Sequence, residues 1–347
     1  MNDTMWAAVL TKPGRQLEIR EVPIPTPKPG ELLVRLDACG VCHTDVHLRE
    51  AADFPTGTPQ PLILGHEGIG RVVARGPGVE RIPEGARVGV PWLHDTCEHC
   101  RECLTGWESF CATHRAHGYT VQGAFAEYAV IKERYAALIP NSLDSHVAAP
   151  LMCAGVTAYG AVQKAELAPG KTCAVIGCGG LGQYGIQLAK LTGARVIAVD
   201  TNQAKLDLAR SLGADVALLA QENAGDAIRA LGGADACINF APSSKVWSTI
   251  TAAINPRGWV ISVAMVADPV PLVLEWLTYN GVRITGTSVG TRQELTDLLA
   301  IAADRGLHIG TERIALSQVN DGLDRLARGK VDGRLVIDLA AGVEHAA

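Results

Sequence analysis

The 347-residue chain has no block of Lys or Arg that could neutralise a run of phosphates, and its 31 basic residues are outnumbered by 36 acidic ones. A net charge of −5 without a basic stripe argues against nucleic acid as a partner. Long apolar runs are missing as well: a stretch such as VALLA at 216–220 falls far short of the roughly 20 residues that span a bilayer. The opening MNDTMWAAVL lacks a basic segment followed by an apolar stretch and a small-residue cleavage site, so no secretory leader is expected and the predicted location is cytoplasmic. Internal repeats and low-complexity segments are also absent.

What is present reads as a globular chain with a sizeable core. The length exceeds that at which one hydrophobic core stops growing, which predicts two domains. Up to about residue 150 the sequence is irregular and rich in Gly and Pro, with β-like runs such as LLVRLDA at 32–38 and GIGRVVARG at 68–76. Between about 155 and 290 short apolar runs (TCAVIG, ARVIAVD, ADACINF, WVISVA) alternate with helix-like segments, the pattern of βαβ units around a parallel sheet buried on both faces. The remaining helix-like QELTDLLAIAA and strand-like RLVIDL need a partner for their apolar faces, and are expected to return to the first domain.

The strand-like Thr172–Ile176 runs into Gly177-Cys178-Gly179-Gly180-Leu181-Gly182, a helix-like segment follows, and a second strand ends at Asp200. This is a G-x-G-x-x-G turn in the context that gives it meaning. Gly177 permits the tight turn, Gly179 lets a pyrophosphate approach the backbone, Gly180 and Leu181 open the helix whose free N–H groups face the anion, and Gly182 lets helix and strand pack closely. Asp200 falls where a carboxylate accepts hydrogen bonds from a ribose, and its charge would repel a 2′-phosphate, so NAD is favoured over NADP.

Ten cysteines in a reducing compartment point to metal or catalysis before disulfides. Cys97, Cys100, Cys103 and Cys111 fall within one loop-like segment at a spacing that lets four thiolates surround one tetrahedral ion. With all four positions filled by sulfur such an ion has no place for substrate and serves to hold a loop. The neighbouring His94 and His99 are expected to face solvent, and Cys39, Cys173, Cys178 and Cys237 to be buried apolar thiols.

The segments CGVCHTDVH at 39–47, GHEGIG at 65–70 and LMCAGVTAYG at 151–160, in order with the four-cysteine loop and the glycine turn, resemble the zinc-dependent alcohol dehydrogenases of the medium-chain dehydrogenase/reductase superfamily over nearly the whole chain. The resemblance implies an α/β protein: a GroES-like β-rich catalytic domain (1–154 and 289–347) with two zinc sites, and a Rossmann doubly wound cofactor domain (155–288). It implies Cys42, His66 and Cys153 as catalytic zinc ligands with a fourth position open, the set of two cysteines and one histidine for which alcohol dehydrogenase is the known example. It further implies Glu67 as a carboxylate near the metal, Asp45 as the group orienting the histidine ligand, Thr44 and His47 as a proton relay, and Trp92 as an aromatic wall of the alcohol pocket. Phe54, with Trp92, suggests a pocket of limited width. His43 and Arg334 match pyrophosphate contacts and Lys205 a ribose contact, while Val263, Ser288 and Val289 align with strand ends that hold the nicotinamide amide.

The chemistry such residues suit is hydride transfer between a small alcohol and NAD. A neutral alcohol is a poor hydride donor until its proton leaves; zinc, which lowers the pKa of a bound water from about 15.7 to about 7, acidifies an alcohol by the same effect. Thr44 would take that proton and pass it, by way of the ribose hydroxyls, to His47. Polyol or amino-alcohol dehydrogenases of the same superfamily are an alternative, although they often carry a carboxylate where Cys153 stands; glutathione-adduct dehydrogenases, and a non-catalytic zinc- or nucleotide-binding scaffold, are others. The resemblance also implies a homo-oligomer built by sheet extension, a tetramer being favoured over a dimer.

Overall fold

A computed structural model describes residues 3–266, 268–307 and 309–340. They fall into two compact units: one is drawn from the residues up to Val156, Thr291–Gly306 and those from Gly310 on, the other from Thr157–Gly290 with Leu307 and Ile309.

The first unit is built on strands that pair antiparallel, except that Thr311–Ala315 runs parallel to Arg334–Asp338. Glu31–Gly40, its longest strand, pairs with Gly68–Arg75 on one side and receives Tyr128–Lys132 and the closing Arg334–Asp338 as further partners. Ala137–Leu138, Arg87–Val90 and Thr311–Ala315 complete this seven-stranded sheet. A three-stranded sheet of Glu18–Pro23, Thr4–Leu10 and Leu62–Ile63 packs through Ala7, Leu10 and Leu62 into the same core as Phe125, all four fully buried. Immediately after Glu31–Gly40 the chain turns into the helix His43–Glu50, whose N-cap is Cys42. Helix Arg292–Arg305 begins at a Thr291/Glu294 capping box and ends at Gly306 in the left-handed region.

The second unit is a six-stranded, all-parallel sheet in the order Val216–Leu219, Arg195–Asp200, Thr172–Ile176, Ala234–Asn239, Ile254–Ser262, Arg283–Gly286. Strands buried on both faces need continuous apolar runs, and Cys173, Ala174 and Val175 are fully buried. Strand order reverses between Thr172–Ile176 and Ala234–Asn239, so the crevice at the carboxyl ends of these two strands is the switch point at which such sheets bind ligands. The α/β fold class read from the sequence, a β-rich GroES-like part and a doubly wound parallel part, is the fold observed. Among the described residues no helix is long and apolar enough to cross a membrane.

Candidate functional site

Cys42, His66 and Cys153 come from three separate segments of the first unit. Cys42 stands at the head of the helix His43–Glu50, and the Asp45 carboxylate of that helix's first turn accepts its backbone N–H at 2.9 Å. The other Asp45 oxygen accepts the Gly65 N–H at 3.0 Å and lies 3.5 Å from His66 Nδ1, so one buried carboxylate fixes two of the three segments. Gly65 has φ +89° and lies against the Phe125 ring, a place no larger residue could take. Ligand atoms of Cys42, His66, Glu67 and Cys153 all lie within 4.8 Å of one another.

These donors fit a zinc ion. His66 is fully buried, its Nε2 has no hydrogen-bond partner among the described residues, and such an atom in a protein interior calls for one. The Cys42 and Cys153 sulfurs are 4.0 Å apart, too far for a disulfide and close enough to share an ion. Contact with Cys153 holds the Cys42 thiol well below its ordinary value, and the same contact, with burial, pushes Cys153 up. Two soft sulfurs and an imidazole, one sulfur already inclined to be a thiolate, form a donor set suited to zinc that leaves a fourth position open.

Glu67, also fully buried, pairs with the Arg334 guanidinium, whose residue is 3% exposed. Burial pushes the Glu67 carboxyl up to about 7 against the pull of Arg334. The sequence gives no sign of this pairing, because its members are 267 positions apart. Trp92 meets the His66 imidazole edge-on at 5.0 Å between ring centres and packs against Tyr119 at 5.5 Å. Thr44 is half-buried, its Oγ1 3.7 Å from the Cys42 sulfur, while His43 and His47 are exposed. Phe54 is half-buried and packs on the core of this unit.

The second cluster is local. Cys100 Sγ is 3.5 Å from Cys103 Sγ, and Cys97 Sγ is 3.9 Å from Cys103 Sγ and 3.7 Å from Cys111 Sγ. Backbone N–H groups of Cys100 and Cys103 point at the sulfurs of Cys97 and Cys100. None of the ten cysteines forms a disulfide, and Cys39, Cys173, Cys178 and Cys237 are buried. His94 corrects the sequence expectation. It is 3% exposed, its Nδ1 3.0 Å from Nε2 of the fully buried His117, because pairing of Leu93–Asp95 with Arg115–Ala116 turns it inward. His117 holds the residues before it, its Nδ1 2.7 Å from the Pro91 carbonyl and its backbone N–H on the Trp92 carbonyl. His99 is exposed, as expected.

In the second unit, Gly177 ends the first strand with φ +91°, and Gly179 is the N-cap of helix Gly180–Leu191. No side chain caps that helix, so the N–H groups of its first turn, Gly180, Leu181 and Gly182 among them, have no partner within it. A Cβ on Gly179 would meet nothing within 4 Å, which leaves the backbone open to close approach by a diphosphate. The Asp200 carboxylate accepts the Cys178 N–H at 2.7 Å and the Asn202 N–H at 2.9 Å, which joins the second strand end to the glycine turn. Lys205 lies in the first turn of helix Gln203–Ser211. Val263 follows the strand Ile254–Ser262, its N–H bonded to the Asn239 carbonyl, and Ser288 and Val289 lie beyond Arg283–Gly286.

A β-rich unit with one open and one closed thiolate cluster, together with a parallel-sheet unit carrying a glycine turn and an acid, defines a zinc- and nucleotide-dependent dehydrogenase. Residues 28–141 match the alcohol dehydrogenase GroES-like domain family, and 180–304 the zinc-binding dehydrogenase family. An alcohol dehydrogenase of Moraxella sp. (strain TAE123) is 39% identical over 96% of this chain and 99% of its own. The structure of an alcohol dehydrogenase from Aeropyrum pernix superposes with a TM-score of 0.87 at 30% identity, covering 96% of this chain and 99% of that one. That of an acetophenone reductase from Geotrichum candidum, in complex with NAD, does so with 0.88 at 28% identity, covering 99% of both. The chain belongs to the zinc-dependent alcohol dehydrogenases of the medium-chain dehydrogenase/reductase superfamily, enzymes that interconvert alcohols and carbonyl compounds with zinc and NAD(H).

Proposed function

We propose that the enzyme oxidises small primary alcohols to aldehydes, with benzylic and secondary alcohols also in reach, and that Cys42, His66 and Cys153 hold the zinc at which this happens. The observation that carries the reading is the convergence of these three donors, brought from segments far apart in the chain, around a buried imidazole nitrogen without a hydrogen-bond partner among the described residues. Zinc held there would acidify an alcohol hydroxyl and polarise a carbonyl, and NAD would take up or return the hydride. The protein's own groups supply the rest. Asp45 aims His66; Trp92 walls one side of the imidazole. Thr44 accepts the alcohol proton through its hydroxyl, and His47, three residues further along the same helix and exposed, exchanges it with solvent. Glu67 stays on Arg334 while the ligands are in place.

Cys97, Cys100, Cys103 and Cys111 are assigned to a second zinc that shapes their loop. For the cofactor, Gly177, Gly179, Gly180, Leu181 and Gly182 are assigned to the pyrophosphate and Asp200 with Lys205 to the adenosine ribose. His43 and Arg334 are assigned as further pyrophosphate contacts, and Val263, Ser288 and Val289 to the nicotinamide amide. Phe54 and Trp92 restrict the alcohol. A homotetramer in the cytoplasm is the proposed form of the enzyme. In support of association, Arg283–Gly286 is the edge of the parallel sheet, and the helix Leu274–Asn280 buries none of its residues, with Leu274 and Tyr279 strongly exposed.

A panel of alcohols and aldehydes with NAD(H), followed at the nicotinamide absorbance band, tests the reading. Turnover is expected with short primary and benzylic alcohols and with NAD in preference to NADP. Absence of turnover across the panel in a protein carrying two zinc ions per chain would overturn it.

A further inference from the structure

We propose that Asn239 and Phe240 are positioning residues for the cofactor: they form a clamp beneath the glycine turn and set its affinity for NAD(H). Asn239 ends the strand Ala234–Asn239, opposite Ile176, the residue just before Gly177. Its side chain is fully buried, and Oδ1 accepts the Ala241 N–H at 3.0 Å, which fixes the orientation of the amide. Nδ2 has no hydrogen-bond partner among the described residues. A buried amide hydrogen without an acceptor is costly, and what the satisfied half of this side chain holds has to offset it.

The half that is satisfied holds the turn of residues 239–241 against the nucleotide loop at three points. Phe240 donates its N–H to the Ile176 carbonyl at 2.8 Å. Its ring lies where side chains on the helix would be: a Cβ at Gly185 would stand 2.6 Å from Phe240 Cε2, and one at Gly182 3.8 Å from Cδ2. Ala241, the residue Asn239 grips, lies so close to Gly177 that a Cβ there would stand 2.9 Å from its backbone nitrogen. Asn239 thus fixes Ala241, and Ala241 with Phe240 fixes the strand end, Gly177 and the helix whose free N–H groups would hold the diphosphate. Hydrogen bonds to a diphosphate weaken steeply with distance and angle, so a small shift of this floor is felt as lost affinity. Neither residue belongs to the zinc clusters, so the alcohol side should not respond.

The inference rests on the reading of the glycine turn as an NAD site, and the test separates the two. Dissociation constants of NADH and of ADP-ribose are measured by fluorescence on the zinc-loaded full chain. Asn239→Ala is expected to raise both at least tenfold, with two zinc ions retained and the KM for alcohol at saturating NAD within twofold. Asn239→Ser, whose hydroxyl can accept the Ala241 N–H without supplying an Nδ2, should recover most of the loss. Gly185→Ala, which pushes the Phe240 ring from the helix side and leaves Asn239 intact, should raise both constants in the same sense and serves if Asn239→Ala does not fold. Unchanged NADH affinity in a folded Asn239→Ala, or failing that in Gly185→Ala, overturns the clamp. So does a loss that falls equally on the alcohol KM. A wild-type chain that binds neither NADH nor ADP-ribose overturns the NAD reading itself.

Discussion

The two thiolate clusters of the first unit use similar atoms in opposite ways. One brings four sulfurs together from a single segment, Cys97 to Cys111; the other gathers two sulfurs and one imidazole, with the Glu67 carboxylate beside them, from three distant segments, and on the proposed assignment it leaves a place for substrate. The local cluster can form as soon as its loop does, because little chain has to be ordered to bring its members together. The scattered cluster exists only when the long strand, the helix after it and the Gly65 turn are all in place. On the proposed assignment a metal in the first would serve stability, and a metal in the second would be a product of the finished fold, devoted to chemistry.

His66→Ala breaks the comparison where the expected effect is largest. It should lower kcat by at least about a thousandfold, since the Lewis acid goes with its ligand, and metal analysis should find one zinc per chain in place of two. Loss of both ions, or unchanged turnover, would dissolve the distinction between the clusters. Cys111→Ser is the converse experiment: Cys111 is buried and its sulfur is 3.7 Å from Cys97, so the four-sulfur site should lose its ion. Thermal unfolding is expected to move down by on the order of 10 °C, while freshly prepared protein keeps its kcat within a few-fold. A smaller perturbation of the open site is Asp45→Asn, which keeps the shape but removes the charge beside His66 Nδ1. Affinity for the catalytic zinc should fall roughly 10–100-fold, measured by competition with a chelator, with the other ion unaffected; equal release of both ions would show that Asp45 serves the fold at large.

The same contrast explains what can be read from the sequence. Four cysteines within one segment declare themselves by spacing, and the parallel sheet by its alternation of apolar runs and helices. The scattered ligands have no local signature: Cys42, His66 and Cys153 are legible only through the order of whole motifs. Pairings that depend on register are not legible at all. Nothing near Glu67 points to Arg334, which a closing strand brings back against Glu31–Gly40. Nothing near Asn239 shows that Ala241 would be pressed on Gly177. His94 reads as a loop residue because its partner, His117, lies 23 positions on, across a short antiparallel pair.

That histidine pair brackets the four-cysteine segment in the chain, and it gives the smallest predicted effect. Burial holds His117 down to about 4, and burial together with the charge of His117 holds His94 down to about 2. In the unfolded chain an imidazole takes its proton near 6.5. Between that value and about 4 the unfolded chain carries a proton on residue 117 that the folded protein does not, so the contribution of His117 is complete above pH 6.5 and is lost as pH falls through 4. At pH 5 the loss from His117 alone is about 2 kcal/mol. His117→Asn can keep the bond to Pro91 through its amide N–H while removing the titrating ring. Urea unfolding at pH 7.5 and pH 5 should therefore show wild type losing about 2 kcal/mol more than the variant on acidification. Zinc release on acidification acts on both proteins and cancels in the difference, so parallel pH slopes would mean that His117 is already protonated within the folded protein and that its two carbonyl neighbours outweigh its burial.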